Sequence, residues 1–205
     1  MKRLTVLTVL FVLATAGCAA RYQNVRVPPR IDLSQHEIIA VVEFDSTNEG
    51  QLGPLATRRF TDLARRDQGL VRMMNVEANS DQRDTIAIKR LAQKHGAQTV
   101  LVGKIDVSDV RPNLSVSRTL KAGSLTANVD AILTVDLIET KTGASIWSAS
   151  ARATKTVGQI NVFDRKNITF DAEDPEQAYG VLVDALVAQV TRDFRTTWIR
   201  QPVPR

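Results

Sequence analysis

The sequence is poor in the residues that bind metals or form disulfides. Its 205 residues include one cysteine and two histidines, and aromatic residues make up 5%. One thiol cannot form an internal disulfide, and this set cannot supply the usual four ligands of a structural zinc site. A chain of this length buries around 70% of its surface on folding. We therefore expect one globular domain that is held by packing, with no metal and no cofactor.

The sequence also lacks the short motifs of several enzyme classes. GxxxxGK[ST], GxGxxG, HExxH and GxSxG do not occur. His36 lies beside a predicted tether and His95 near a predicted helix end, where a cap or core role is expected. Asp130 and Asp136 lie about 20 Å apart along one strand, too far to act together on one bond. We predict a protein that is not an enzyme and has no catalytic residue.

The amino-terminal segment has the pattern of an export signal. Two basic residues precede an apolar run of about 13 residues, which is short of the roughly 20 that a membrane-spanning helix needs. Small residues and then the chain's cysteine follow, in the order Thr15-Ala16-Gly17-Cys18. This order resembles the lipobox of bacterial lipoproteins, in which the chain is cut before the cysteine and the thiol is acylated. We predict a signal peptide over residues 1–17, cleavage between Gly17 and Cys18, and a covalent lipid on Cys18.

A lipidated cysteine has consequences for the location of the protein. Several acyl chains, at about 0.8 kcal/mol per buried methylene, make an effectively permanent anchor. By resemblance to lipoprotein sorting rules, Ala19 after the cysteine indicates the outer membrane. We expect the protein at its periplasmic face.

Charge does not indicate a nucleic-acid partner. Without the signal's two basic residues the chain carries 25 basic and 22 acidic residues, a net charge of +3. Arg58, Arg59, Arg65 and Arg66 form the nearest approach to a cluster, and helical spacing places them opposite the apolar stripe. No aromatic stacking platform accompanies them. They are interpreted as a solvated helix face, and no nucleic acid is expected.

The remaining chain is predicted to contain a tether, a domain and a tail. Residues 18–37 comprise the lipidated cysteine and a short tether that contains two adjacent prolines. Residues 38–201 form a single globular domain, and residues 202–205 are a tail.

Hydrophobic periodicity predicts an α/β (α+β) fold. Apolar runs predict strands at 38–44, 70–76 and 98–107, and three- and four-residue spacing predicts a helix from Leu52. A second helix is predicted from Ser80 and ends at Gly96. The order β-α-β-α-β predicts a mixed sheet packed by about three helices.

The second half of the chain predicts a β-hairpin and a long helix. Apolar and polar residues alternate over 127–137, with Leu133 and Val135 on the buried face. A turn ending at Gly143 leads into a return strand. Asp174 and Pro175 begin a carboxy-terminal helix that is expected to end near Trp198 to Gln201.

Three segments together resemble a known family. They are IAVVEF at 39–44, AQKHGAQTVLVGKI at 92–105 and VDLIETKTGASIWS at 135–148. Their order and spacing resemble the envelope lipoprotein group that includes the curli secretion channel CsgG and the penicillin-binding protein activator LpoB. The domain of that group is similar to the amino-terminal domain of TolB. Gln98 replaces the family's usual Asp, and the resemblance spans residues 38–200.

The resemblance implies two functions of different classes. One is a non-catalytic binding or assembly module for envelope machinery, either peptidoglycan synthase activation or secretion assembly, which docks a periplasmic protein. The alternative is an oligomeric secretion channel, whose hairpins need strands of about 9 to 11 alternating residues. Arg118 interrupts such a pattern in 111–126, and 156–170 has none, so both segments are predicted as loops or hairpin extensions. The binding module ranks first, the channel second and a carrier of a small apolar ligand third.

The expected partners are the membrane, through the lipid, and a periplasmic protein or further copies of the chain. The predicted contact residues are Phe163, Asp164 and Arg165, with Trp198 as a further candidate. The burial habit of tryptophan nevertheless favours core or helix-docking positions for both Trp147 and Trp198. The segment 156–170 lacks core periodicity and is predicted to be removable without loss of folding.

Overall fold

The structure is a computed structural model in which residues 22–48, 50–69, 71–76, 85–113, 126–158, 161–164, 167–170 and 172–203 are described. Two compact units are present. The larger unit is Arg30–Arg195, and the described residues of the smaller unit are 22–29 and 196–203. The domain boundaries that the sequence predicts stay a prediction.

The secondary-structure elements follow one another in a mixed order. The strands are β1 Tyr22–Val27, β2 Ile39–Val42, β3 Asp45–Ser46, β4 Met73–Val76, β5 Thr99–Asn113, β6 Thr126–Glu139, β7 Ser145–Gly158, β8 Asn161–Asp164, β9 Asn167–Thr169 and β10 Thr197–Pro202. The α-helices are α1 Leu52–Gln68, α2 Thr85–Lys94 and α3 Pro175–Val190, with 3-10 turns at Leu33–Gln35 and Thr191–Phe194.

The larger unit is built on a six-stranded mixed sheet. Its order is β4-β2-β5-β6-β7, and β3 also pairs with β5. Strand β2 is parallel to β4 and to β5, whereas β5, β6 and β7 are antiparallel neighbours. The predicted α+β class, with helices packed on a mixed sheet, is confirmed.

Close packing explains how β2, α1 and β5 fit together. All four residues of β2 are buried, as expected of a strand covered on both faces. The rings of Phe44, which follows β2, and Phe60 in α1 meet edge to face, with centroids 5.6 Å apart. A Cβ at Gly103 in β5 would lie 2.6 Å from the Phe44 ring. Glycine at 103 is therefore what lets Phe44 lie against the sheet.

The predicted faces of the long alternating strand are confirmed. Leu133 and Val135 in β6 are fully buried, and Asp130 and Asp136 lie on the opposite, partly exposed face. Gly143 has a φ of +79° in the turn to β7, which is the left-handed conformation that glycine favours. The hairpin of β6 and β7 is therefore as predicted, although both strands run a few residues longer.

The carboxy-terminal helix is shorter than predicted. Its start is confirmed, because the Asp174 side chain accepts from the Gln177 amide at 3.1 Å and Pro175 follows. The expected end near Trp198 to Gln201 is wrong, since the α-helix ends at Val190. The segment Thr196-Thr197-Trp198-Ile199 consists of β-branched and aromatic residues, which favour the extended conformation of β10.

The smaller unit contains a strand where the sequence predicted only a tether. Strand β1 pairs antiparallel with β10, from Tyr22 opposite Pro202 to Val27 opposite Thr197. The partner strand lies about 170 residues away in sequence, so local periodicity could not indicate the pairing.

The segment 156–170 is partly core, contrary to prediction. Val157 and Phe170 are 1% and 0% exposed and belong to the main hydrophobic cluster. Between them, β8 pairs with β9 in a separate two-stranded sheet, as expected of a hairpin extension. The prediction failed because the two core residues are separated by a stretch in which apolar and charged residues are mixed without a regular period.

Candidate binding site

The predicted site residues fall in two parts of the chain. Gly17, Cys18 and Arg165 lie outside the described residues, so the lipidation site stays a prediction. Phe163 and Asp164 belong to β8, and Asp164 pairs with Asn167 of β9. Their role as contact residues also stays a prediction.

The two tryptophans have different environments. Trp147 is 7% exposed and donates from Nε1 to Asp193 Oδ2 at 3.1 Å. The predicted core position is therefore confirmed for Trp147. Trp198 is 66% exposed in β10, so the core interpretation is wrong for it. The prediction for Trp198 assumed that this residue lies on the carboxy-terminal helix. Because α3 ends at Val190, Trp198 lies in β10 instead.

The outer edge of the sheet at β7 has the geometry of a binding surface. This 14-residue strand pairs with β6 on one side, and no strand of the described part of the chain pairs with its other side. In an antiparallel ladder, the backbone groups of alternate residues point away from the partner strand. Gln189 Nε2 donates to the Arg152 carbonyl at 3.4 Å, which identifies Arg152 as an outward-pointing residue.

The register of β7 defines the rest of this surface. Pairing with β6 is regular from Trp147 to Gly158, so residues an even number of positions from Arg152 also point outward. We call these residues the β7 edge, and they are Ser148, Ser150, Arg152, Thr154 and Thr156. All five side chains are exposed, and four of them carry hydroxyl groups. The edge therefore combines outward-pointing backbone groups with four small hydroxyl side chains and one arginine.

A second concave surface lies where β2 and β4 end. This groove has a volume of about 430 Å³ and lies beside α1. It is lined by Val41, Glu43, Pro54, Thr57, Arg58, Thr61, Asp62, Arg65, Asn75 and Val76. The carboxyl ends of parallel strands are a common ligand position in α/β sheets. Charges of both signs make this groove unsuited to a small apolar ligand.

The basic residues of α1 are paired rather than gathered into a patch. Arg58 and Arg59 both form ion pairs with Glu176 at the start of α3, with Arg58 Nη2 2.6 Å from Glu176 Oε1. Arg65 Nη2 donates to the Met73 carbonyl at 2.9 Å, and Arg66 Nε lies 3.4 Å from Asp67 Oδ1. Arg58, Arg65 and Arg66 are exposed, as a solvated helix face requires, whereas Arg59 is half-buried and pairs with Glu176 and Asp184 of α3.

Among the residues that the structure describes, three groups have displaced pKa values. Burial lowers the pKa of His36 below 6.5, although the nearby Asp32 carboxylate opposes the shift. Hydrogen bonds from the Ser34 hydroxyl and amide lower the pKa of Asp32. A hydrogen bond to Asp106 raises the pKa of Lys104. Asp32 and His36 are close neighbours at the two ends of the 3-10 turn Leu33–Gln35, whereas Lys104 and Asp106 belong to β5.

Within the described ranges, no group of three or more histidine, cysteine or acidic side chains is placed to hold a metal ion. Among the helices that the structure describes, none combines the length and apolar character required to cross a bilayer.

Comparisons with known proteins give structural neighbours. No protein-family model and no curated protein matches the chain. Among solved structures, it is similar to the PelC dodecamer from Paraburkholderia phytofirmans, at 16% identity over 85% of this chain and 98% of that chain, with a TM-score of 0.47. It is also similar to lipoprotein GNA1162 from Neisseria meningitidis, at 17% identity over 75% and 97%, with a TM-score of 0.39. The LpoB carboxy-terminal domain from Salmonella enterica is similar at 14% identity over 63% and 86%, with a TM-score of 0.37.

The neighbours therefore include a lipoprotein and an LpoB domain. Because each TM-score lies below 0.5, these likenesses carry no argument for the function of this chain. The resemblance to the CsgG and LpoB group stays a prediction from the sequence.

Sequence reasoning missed both the β7 edge and the groove. The sequence predicted β7 as the return strand of a hairpin, but it could not show that β7 is the outermost strand of the sheet. Glu43 directly after a buried strand was the available signal for the groove, since side chains there lie at the carboxyl edge of a sheet.

Proposed function

We propose that the protein is a lipid-anchored, non-catalytic binding module at the periplasmic face of the outer membrane. It docks an extended segment of a periplasmic protein partner onto the β7 edge. The open edge of β7 is the observation that carries this proposal.

The β7 edge supports strand addition through its backbone. From Ser148 to Thr156 the edge spans about 27 Å at roughly 3.4 Å per residue. Its five outward residues each offer an amide donor and a carbonyl acceptor, although Gln189 already uses the carbonyl of Arg152. A peptide that pairs with such an edge gains affinity from main-chain hydrogen bonds and specificity from alternate side chains.

The side chains at this edge leave it accessible. Natural edge strands are commonly protected by charges, prolines, bulges or short length. Arg152 is the one charged member of the β7 edge, and the strand has 14 residues without proline. An exposed edge of this length needs either a binding partner or features that prevent unwanted pairing with other chains. The described residues supply few such features.

The β7 edge is ordered before a partner arrives. The opposite face of β7 is anchored by Trp147, Ala151, Ala153 and Val157, all of which are buried. The Trp147 ring packs at 4.6 Å from that of Phe194. A preordered strand lowers the entropic cost of binding, because the partner segment alone must become ordered.

Photo-crosslinking in cells tests this function. A photoreactive side chain at Ser150 should crosslink to a periplasmic protein, whereas the same group at Thr142, an exposed position in the β6–β7 turn, should not. Thr154→Pro removes an outward amide at an edge position where proline is tolerated, so the Ser150 crosslink should disappear. Thr154→Ala keeps the amide and should retain it.

Two results would contradict the proposal. One is a Ser150 crosslink that survives Thr154→Pro in a folded protein. The other is crosslinking of Ser150 to further copies of the chain alone, which would favour the oligomeric alternative.

A further inference from the structure

The paired strands β1 and β10 have two distinct faces. Directly opposed residues of an antiparallel pair share a face, and the faces alternate along each strand. One face therefore carries Tyr22, Asn24, Arg26, Trp198, Arg200 and Pro202, and we call it the aromatic face. The guanidinium of Arg200 lies 4.9 Å from the centroid of the Tyr22 ring, which is direct support for this assignment.

The aromatic face is open and carries positive charge. Tyr22 is 52% exposed and Trp198 is 66% exposed, the largest value among the exposed large hydrophobic residues of the described chain. Arg26 is directly opposite Trp198, and neither β1 nor β10 contains an acidic residue. Two amphipathic rings interleaved with two guanidinium groups form a surface that complements a layer of phosphate groups.

The aromatic face lies close in sequence to the predicted lipid anchor, which limits the surfaces that it can contact. Tyr22 is four residues after Cys18, and four fully extended residues span about 14 Å at most. A lipid on Cys18 therefore keeps the beginning of β1 within that distance of the bilayer interface. Tyrosine and tryptophan are enriched at this interface, and arginine is attracted to anionic headgroups.

We propose that the aromatic face lies on the membrane that holds the lipid anchor and contacts anionic phospholipid headgroups. Trp198 and Tyr22 enter the headgroup layer, and Arg26 and Arg200 pair with lipid phosphates. The contact is separate from the β7 edge, and it rests on the lipid anchor of the proposed function.

Tryptophan fluorescence tests the contact, because the chain has two tryptophans and one of them is buried. The lipidated protein is reconstituted into vesicles of phosphatidylethanolamine and phosphatidylglycerol whose acyl chains carry bromine near the headgroup. Quenching by bromine is compared for the wild type and Trp198→Phe. We expect the wild type to lose roughly half of its emission and Trp198→Phe, which reports Trp147 alone, to lose almost none.

Charge variants test the role of the arginines. Arg26→Gln with Arg200→Gln should reduce the quenching of Trp198 at least twofold, whereas Arg66→Gln on the exposed face of α1 should leave it unchanged. Replacing phosphatidylglycerol with phosphatidylcholine should reduce the quenching in the same way. Equal quenching of the wild type and Trp198→Phe would overturn the proposal.

Two further measurements show whether an absence of quenching reflects a missing lipid anchor or a missing contact of the aromatic face with the membrane. Vesicle flotation and the acyl mass of Cys18 report the anchor, and a chain that begins at Ala19, without the signal and the cysteine, is the unanchored control. A wild type that floats without Trp198 quenching overturns the aromatic-face contact alone, whereas a chain without acyl mass overturns both proposals. If the emission of Trp198 in the chain that begins at Ala19 shifts with protein concentration in the absence of lipid, a second copy covers this face and the membrane contact is wrong.

Discussion

Tyr179 in α3 donates a hydrogen bond from its hydroxyl to the carbonyl oxygen of Phe170, 2.7 Å away. The two rings also meet edge to face, with centroids 5.6 Å apart. The same carbonyl accepts the amide of Gln51, which directly precedes α1, at 2.7 Å. The carboxyl end of the β8–β9 segment is therefore held by both α1 and α3.

Removal of the Tyr179 hydroxyl should weaken this junction moderately. Tyr179→Phe keeps the ring packing and deletes one hydrogen bond, while Gln51 still satisfies the Phe170 carbonyl. We expect the free energy of unfolding to fall by about 1 kcal/mol, measured by urea denaturation. Tyr22→Phe, at an exposed position in β1, is the control and should change nothing. Unfolding curves that coincide for Tyr179→Phe and the wild type would contradict this account of the junction.

The length of a deletion around β8 and β9 should decide whether the protein folds. Replacing residues 161–168 with a short glycine-containing turn removes the hairpin and keeps Val157 and Phe170 in the core. This variant should unfold cooperatively at nearly the wild-type urea midpoint. Deleting 156–170 removes both core residues, and loss of a buried phenylalanine alone costs about 3 to 5 kcal/mol.

The comparison of the two deletions tests the position of the core boundary. Equal stability of the two variants would show that Val157 and Phe170 contribute little to folding. If the shorter variant is folded, loss of partner crosslinking in it would assign a binding role to Phe163 and Asp164.

The register of β6 predicts a large loss of stability at a position on the buried face and almost none at a position on the partly exposed face. Leu133→Ala should lower the free energy of unfolding by about 2 to 5 kcal/mol through lost burial and a cavity. Asp136→Asn, on the partly exposed face, should change it by no more than about 0.5 kcal/mol. Urea denaturation measures both, and the reverse order would mean that the strand is shifted by one residue.

Stability should fall as the pH decreases through the range in which His36 titrates. Because burial lowers the pKa of His36 in the folded chain, the unfolded chain binds more protons below pH 6.5. The free energy of unfolding therefore decreases as the pH falls from 6.5 towards the lowered pKa of His36, and it is insensitive to His36 above about pH 7.5. Urea midpoints at several pH values measure the slope.

One variant isolates the contribution of His36. His36→Gln should flatten the slope between pH 7.5 and 5.5, because the titrating group is removed. A slope that is unchanged by His36→Gln would assign the effect to other groups.

Short-range patterns predicted most of the larger unit. Each pattern reports on neighbours a few residues apart, as in the alternation that placed Leu133 in the core. The capping residues Asp174 and Pro175 likewise marked the start of α3 correctly. Such signals depend only on local burial and backbone geometry, which the sequence expresses directly.

The features that the sequence did not reveal depend on distant partners. Strand β1 exists as a pair with β10, and the helix that was expected to contain Trp198 ends at Val190. The status of β7 as an edge strand depends on the order of all the other strands. The binding surface could not be predicted for the same reason, because an edge is defined by what lies beside it.

The size of the detergent-extracted, full-length lipoprotein tests the central claim most directly. Sedimentation velocity in detergent, with the acyl mass of Cys18 measured on the same sample, gives the oligomeric state of the anchored protein. A binding module that keeps its β7 edge for a different protein should sediment as a monomer. A uniform ring that also conducts ions in reconstituted bilayers would contradict the account and establish the channel.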